Sequence, residues 1–386
     1  MLLLAITCGA AVANIYYAQP LLPIIGQALG VPESTAGLLV TASQVGYAIA
    51  LAFVVPLGDT LERRRLVSVL LGATAVTLTG AALAPGLSTL LAALALVGLT
   101  SAVAQIVVPM AASLADDRSR GSVVGTVMSG LLIGILLARS LAGLVAEFGG
   151  WRAVFGLAAV VMVVLAVVVR LVLPPVPAPE PDRSYGSLLR SVLALIRTDP
   201  VLRVRMGLGA VGMGCFSILW TAVSFLLAGA PYNYGPAVIG LFGLAGLAGA
   251  AAAPVAGKLA DRGHSMRTVT LALGTLVVSW AALGFGGVSL IALLVGIVLL
   301  DLAQQSLQIS HQSAIYSRHP DARSRVTTAF VVSVFFGGAI GSAAAAALYG
   351  AGGWVAVCVF GGVVAVVGLA VWLWARRRGI AMPAAV

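Results

Sequence analysis

Twelve apolar runs, each about 20 residues or more, leave this chain little choice but to fold as a bundle of membrane-spanning helices. They lie at about 2–28, 34–58, 66–84, 88–114, 121–146, 151–173, 202–229, 236–260, 267–286, 288–314, 325–349 and 354–375, and are called spans one to twelve below. Composition agrees: 61% of the residues are apolar, 9% are charged and the mean hydropathy is +1.10, whereas soluble domains carry about 25% charged residues. A net charge of +10 could suit a nucleic-acid partner, but the distribution of the charges excludes that class. The basic residues gather in alternate loops (Arg63–Arg65, Arg118, Arg120, Lys258, Arg262, Arg267, Arg318, Arg323, Arg325, Arg376–Arg378), and only Arg152 lies in the opposite set. This is the positive-inside pattern, so both termini are expected in the cytoplasm. Met1–Ala13 lacks a basic leader region and continues through Asn14 and two prolines, so it reads as the first span rather than a cleaved signal. Cys8, Cys215 and Cys358 all sit in apolar runs with no CxxC spacing, which argues against a disulfide framework or a metal site.

Between spans six and seven the composition changes. Pro174, Pro175, Pro177, Pro179 and Pro181 cannot continue a helix and read as a stiff linker. A short amphipathic helix over 184–198 follows, with Leu188, Leu189, Val192, Leu193 and Ile196 on its apolar side, suited to the membrane surface. The expected domains are a six-helix bundle over 1–173, this connector over 174–200, and a second six-helix bundle over 201–386. Pro20 and Pro23 are expected to bend the outer part of span one, and Ser34 to cap span two.

The two halves echo each other. Gly58-Asp59-Thr60-Leu61-Glu62-Arg63 is matched by Gly257-Lys258-Leu259-Ala260-Asp261-Arg262, at an offset of 199 (257 − 58). Arg118-Ser119-Arg120 reappears as Arg323-Ser324-Arg325, and Gly149-Gly150-Trp151 as Gly352-Gly353-Trp354. Six spans per half is an even number, so both halves insert in the same orientation. The glycine, the acid four residues on and the next arginine, between the second and third span of each half, resemble the loop signature of the major facilitator superfamily. The resemblance covers nearly the whole chain for fold. It implies an all-α membrane protein with twelve transmembrane helices in two pseudo-symmetric bundles, in which Gly58, Asp59, Glu62, Arg63, Gly257, Asp261 and Arg262 form a conformational loop motif.

A charge at the bilayer centre costs about 2.5–3.5 kcal/mol on insertion scales, so charges inside spans are functional candidates. Asp301, in the middle of span ten, and Arg139, in the outer half of span five, are the two expected here. Asp301, Gln304, Gln305, Gln308, His311 and Gln312 recur every three or four residues and so share one helix face, which must meet protein or water. That face borders either a solute path or a hydrogen-bonded seam between helices. The first, fourth, seventh and tenth helices line the cavity in the superfamily, so the resemblance implies a path. Asn14, Tyr17 and Gln19 in span one, Gln105 in span four and Trp220 in span seven join it as cavity candidates. Asp301, Arg139 and His311 are the candidates for proton coupling, with an Asp301–Arg139 pair that opens and closes as one arrangement. Trp151 and Trp354, at span ends, read as interface anchors.

Span five carries Gly125, Gly130, Gly134 and Gly143 at helical spacing, a pattern for close packing. It partly resembles the glycine-rich fifth-helix motif of the superfamily's proton-coupled antiporters, although the Gly-Pro pair of that motif is missing. An intramembrane arginine that many family exporters carry ahead of the proline of span four is replaced here by Val97. There is no Ser/His pair on adjacent spans, no HExxH and no paired carboxylates, so an enzyme is not expected; there is no P-loop either, so no cofactor is implied and the energy is expected from an ion gradient, with protons the expected ion, or from the solute's own gradient. The expected activity is secondary active transport by alternating access, with proton-coupled efflux of small amphipathic molecules (drugs, sugars, amino-acid-like metabolites) across the bacterial inner membrane. A proton-coupled importer or facilitator is the alternative, and a receptor or assembly subunit that moves nothing is the remote one. The expected partners are a small-molecule substrate, protons and lipids, with the protein a monomer.

Overall fold

A computed structural model describes residues 1–116, 119–178, 184–246, 265–319 and 322–380, all of whose regular structure is helical. The second copy of the loop motif, Gly257, Asp261 and Arg262, lies outside the described residues, as does Arg118. The chain divides into two compact units. Unit 1 comprises Met1–Val31, Leu38–Ser187 and Tyr234–Leu244; unit 2 comprises Pro32–Gly37, Leu188–Asn233 and Ala245–Val386.

Several spans depart from straight helices, and the sequence explains where. Span one is a helix over Leu2–Ala13, irregular turns with a 3-10 stretch at Gln19–Leu21, and a second helix over Leu22–Leu29. Prolines 20 and 23 offer no N–H, and the break extends back to Asn14 rather than bending only the outer end. Span two starts at Glu33, directly after extended Pro32, so the expected cap Ser34 lies instead inside the first turn. Span four is two helices, Leu87–Thr100 and Val103–Ser113.

Spans five and six, within Arg120–Val172, are two helices joined through the non-helical Gly150, and spans eleven and twelve, within Arg323–Arg377, are two joined through Gly352 and Gly353. Gly150 (φ 72°) and Gly353 (φ 61°) adopt left-handed backbone that a side chain would strain, which is why the Gly-Gly-Trp echo appears at both places. Trp151 and Trp354 are buried inside their own units rather than acting as interface anchors. Trp151 packs edge-on against Phe155, and Trp354 Nε1 donates to the Leu283 carbonyl at 2.8 Å.

Close helix approach organises each unit. In unit 1 a Cβ built at Gly130 or Gly134 would run into the backbone of Ala5 or Gly9, so spans one and five touch backbone to backbone. In unit 2, Gly337 and Gly341 meet Ala210 and Gly214 the same way, joining spans seven and eleven. Without a hydrophobic drive between helices in lipid, this contact supplies the dispersion energy that holds them. Span seven, Pro200–Ala228, is the enclosed helix: 83% of its most apolar stretch is buried, against 44% for spans three, nine and ten. Conversely, Val69, Val76 and Leu83 repeat every seven residues on span three and stay exposed, an apolar stripe suited to acyl chains. The connector helix forms at Tyr185–Thr198, with Leu188 buried and Leu193 exposed.

Candidate functional site

Each unit collects intramembrane polar side chains around a broken or central helix. In unit 1 the turns that follow Ala13 carry them. Arg139, only 2% exposed, donates from Nε to Gln19 Oε1 at 2.8 Å and lies 5.1 Å over the Tyr16 ring. Two residues predicted for different roles, Arg139 and Gln19, are thus direct partners. Tyr16 was missed by sequence reasoning, although its spacing of three from Gln19 was a usable signal. Asn14 Nδ2 reaches Ser101 Oγ and Met162 Sδ, each at 3.5 Å. Tyr17 is half-buried, and the irregular turns from Asn14 onward remove the helical register that placed it on a face with Asn14. Gln105 hydrogen-bonds the wholly buried Tyr47, a second aromatic the sequence reading passed over.

In unit 2 the polar face of span ten meets span seven. Trp220 Nε1 donates to Asp301 Oδ1 at 3.4 Å, and both residues are buried, Asp301 at 4% exposure. Asp301 and Arg139 therefore each have partners inside their own unit. Gln304 lies over Gly212, where a Cβ would displace its amide, with Nε2 4.0 Å from Met213 Sδ. Gln305 and Gln312 are half-buried.

His311 Nδ1 lies 3.2 Å from a terminal guanidinium nitrogen of Arg205. Arg205 is fully buried and stacks over the Trp372 ring at 4.9 Å. A guanidinium can only donate, so His311 Nδ1 must accept and its remaining proton sits on Nε2. In this arrangement the imidazole is neutral and cannot take a second proton without letting Arg205 go. Arg205, near the start of span seven, was the arginine the sequence reading missed. Five polar atoms across the two units, Asn14 Oδ1, Gln19 Nε2, Gln304 Oε1, Gln308 Oε1 and His311 Nε2, are buried with no partner among the described residues. Buried polar atoms are otherwise nearly always paired.

The first copy of the loop motif is a knot of hydrogen bonds. Glu62 caps span three, accepting from the backbone N–H of Arg64 at 2.9 Å and of Arg65 at 3.0 Å. Arg63 Nε donates to the Gly58 carbonyl at 2.9 Å and pairs with Asp59 at 3.3 Å. Gly58 itself faces Ile106 of span four, 3.3 Å from where a Cβ would stand. The proline-rich linker closes the knot: Val176 N–H donates to Glu62 Oε1, its carbonyl accepts from Arg63 N–H, and Arg64 donates to the Leu173 carbonyl, all at 3.0 Å. Unit 2 has its own cap at the start of span seven. Asp199 Oδ1 accepts from Val201 N–H at 2.9 Å, while Oδ2 takes Arg318 Nε at 3.0 Å and His319 Nε2 at 2.7 Å, tying span seven to the end of span ten.

Burial opposes ionisation of Asp199, but His319, Arg318 and the Val201 amide outweigh it and hold the carboxyl below its ordinary 3.8. Glu62 is likewise held below 4.5, its partial burial outweighed by the amides of Val176, Arg65 and Arg64 and by the Arg64 charge. Because both folded values are depressed, their stability contribution is complete above the unfolded values. It is lost as pH falls through the folded ones. Asp199→Ala should lower stability at pH 7 by about 0.5–2 kcal/mol through loss of the cap, and the variant should lose less than wild type on acidification. Thermal unfolding in detergent between neutral and acidic pH reads both effects; parallel profiles would contradict them.

The family model of the Major Facilitator Superfamily matches residues 3–286 and 210–385. The Escherichia coli O157:H7 protein "Uncharacterized transporter YgaY" is 49% identical over 374 residues, covering 96% of this chain and 94% of its own length. The Streptomyces coelicolor protein "Probable transporter SCO4007" is 38% identical over 371 residues, 95% of this chain and 85% of its own. Among solved structures, a bacterial homologue of the human lysosomal transporter Spinster, in an inward-facing and occupied conformation, superposes with a TM-score of 0.78 at 14% identity, over 100% of this chain and 98% of that one. A family model spanning both halves, and relatives this similar over almost their whole length, make the chain a member of the Major Facilitator Superfamily: a multi-pass membrane transporter of small molecules, and not an enzyme.

Proposed function

We propose that this transporter exports small amphipathic molecules from the bacterial cytoplasm in exchange for protons, with Asp301 as the proton carrier. In this reading it is a monomer of the inner membrane with both termini cytoplasmic. The bundles 1–173 and 201–386 move as two bodies joined by 174–200, and the solute is admitted alternately from each side. The observation that carries the reading is Asp301 itself, a carboxyl buried mid-span against the indole N–H of Trp220. Intramembrane acids mark ion pathways. His311 has a supporting role rather than that of a carrier, because its Nδ1 is committed to Arg205. Within unit 2, the unpartnered amide oxygens of Gln304 and Gln308 on the span of Asp301 supply acceptors without net charge, which suits a neutral or zwitterionic solute with apolar bulk.

Everted membrane vesicles test the direction. Respiration acidifies their lumen, and an exporter of this kind carries solute into the lumen as protons leave. Adding a solute from a panel of lipophilic cations, sugars and amino acids should therefore partly dissipate the pH gradient, with accumulation of the same solute. Accumulation in intact cells that an uncoupler abolishes would reverse the direction and make the protein an importer. Movement unaffected by the gradient would make it a facilitator.

A further inference from the structure

A groove of about 390 Å³ opens on the flank of unit 1 where the start of span three meets the end of span six. It is remote in sequence from the polar residues of spans one, five, seven and ten. Arg65, Arg170 and Leu171 stand at its mouth, and Val69 and Val167 form its wall. Arg65 is two residues inside the start of the helix Arg63–Ala82, and Arg170 is two residues from the end of Arg120–Val172. Both cations therefore lie at the same membrane surface. Val69 and Val167, each about one turn further along its helix, sit deeper.

The neighbouring arginines are committed elsewhere: Arg63 to Gly58 and Asp59, Arg64 to the Leu173 carbonyl. The Ser68 hydroxyl in the same groove is bonded to the Arg64 carbonyl at 2.9 Å. Arg65 and Arg170 have no ion pair or side-chain hydrogen bond among the described residues, and both are exposed. Below them Val69 is 60% exposed and Val167 50%, while Leu171, one residue beyond Arg170 toward the helix end, is 77% exposed at the mouth. Two uncommitted guanidinium groups above an uncovered apolar wall match one kind of molecule, with a phosphate at the water boundary and a hydrocarbon chain beneath it. Guanidinium groups bind phosphate through paired N–H donors, and basic pockets between spans on the positively charged side recruit anionic lipid heads.

We propose that this groove is a binding site for an anionic phospholipid, whose phosphate lies between Arg65 and Arg170 and whose acyl chain lies along Val69 and Val167. The lipid would cover the junction next to the knot of Glu62, Arg64 and Val176, bracing span three against the end of span six. The inference needs only that this end of the helices meets a membrane surface, so it stands whatever the direction of transport.

Native mass spectrometry of the detergent-purified full chain, titrated with dioleoylphosphatidylglycerol or dioleoylphosphatidylcholine, tests it. One phosphatidylglycerol should bind well ahead of phosphatidylcholine. The double variant Arg65→Gln/Arg170→Gln should weaken that first binding event roughly 30-fold, to the level of phosphatidylcholine, while Arg65→Lys/Arg170→Lys retains most of it. Should the glutamine variant not fold, Val167→Trp, which fills the wall and leaves both arginines in place, should remove the same first lipid. Equal binding of the two lipids to the wild type would overturn the site, as would an undiminished preference in the variants. So would displacement of the bound lipid by inorganic phosphate alone, which would make the arginines a free-anion site.

Discussion

In Asp301→Asn, solute movement driven by a pH gradient falls to the background of protein-free vesicles, while exchange of the same solute at equal pH on both sides continues. Asparagine keeps the size of the side chain and an oxygen to accept from Trp220 Nε1, so the contact that positions residue 301 survives. What goes is the ability to gain and lose a proton. The substitution also removes a charge whose placement mid-span costs about 2.5–3.5 kcal/mol on insertion scales, so the variant should be no less stable than wild type. Thermal unfolding and gradient-driven flux, measured on the same preparation, separate the two effects. Coupling that persists in a well-folded Asp301→Asn protein would take the residue out of the mechanism.

Gly134→Leu and Gly341→Leu should each prevent recovery of monodisperse protein. A Cβ at Gly134 would stand 2.5 Å from the Gly9 Cα, and one at Gly341 would stand 2.9 Å from the Gly214 Cα. The obstacle in each case is backbone, which cannot swing aside as a side chain can. Overpacking of this kind costs about 1–3 kcal/mol, occasionally more, even where neighbours can repack; here two whole helices must move apart. Gly125 is the control. It belongs to the same glycine series on span five, yet a Cβ there meets nothing within 4 Å. Gly125→Ala should therefore raise stability by about 0.4–1 kcal/mol through the unfolded state. Size-exclusion profiles and unfolding midpoints of the three variants check the ordering. Normal behaviour of Gly134→Leu would mean that spans one and five do not approach as closely as the structure has them.

The contrast between Gly125 and Gly134 shows how far the sequence could be read. Small-xxx-small spacing announces that span five can pack closely, but it does not name the partner. Gly130 and Gly134 meet span one, Gly143 meets the first turns of span eight around Pro236 and Gly240, and Gly125 meets nothing. The same limit applies to the polar residues. The face of span ten was legible because helical period alone places Asp301, Gln304, Gln308 and His311 together. Arg139 and Gln19 are 120 residues apart, and no local rule joins them. Arg205 and His311 are 106 residues apart, so no local rule shows that Trp372 and His311 flank the arginine.

By itself the sequence determined the spanning helices, their duplication and the places where intramembrane charge demands an explanation. These follow from hydropathy and helical period, which are properties of neighbouring residues in the chain. The break of span one back to Asn14, the joining of spans five and eleven to their successors through only one or two non-helical glycines, and the partners of Arg139, Asp301 and Arg205 were decided only by tertiary structure. Each depends on which helix lies alongside. In lipid that choice is made by close backbone contact and by the need to satisfy buried polar atoms, both of which join residues far apart in the chain.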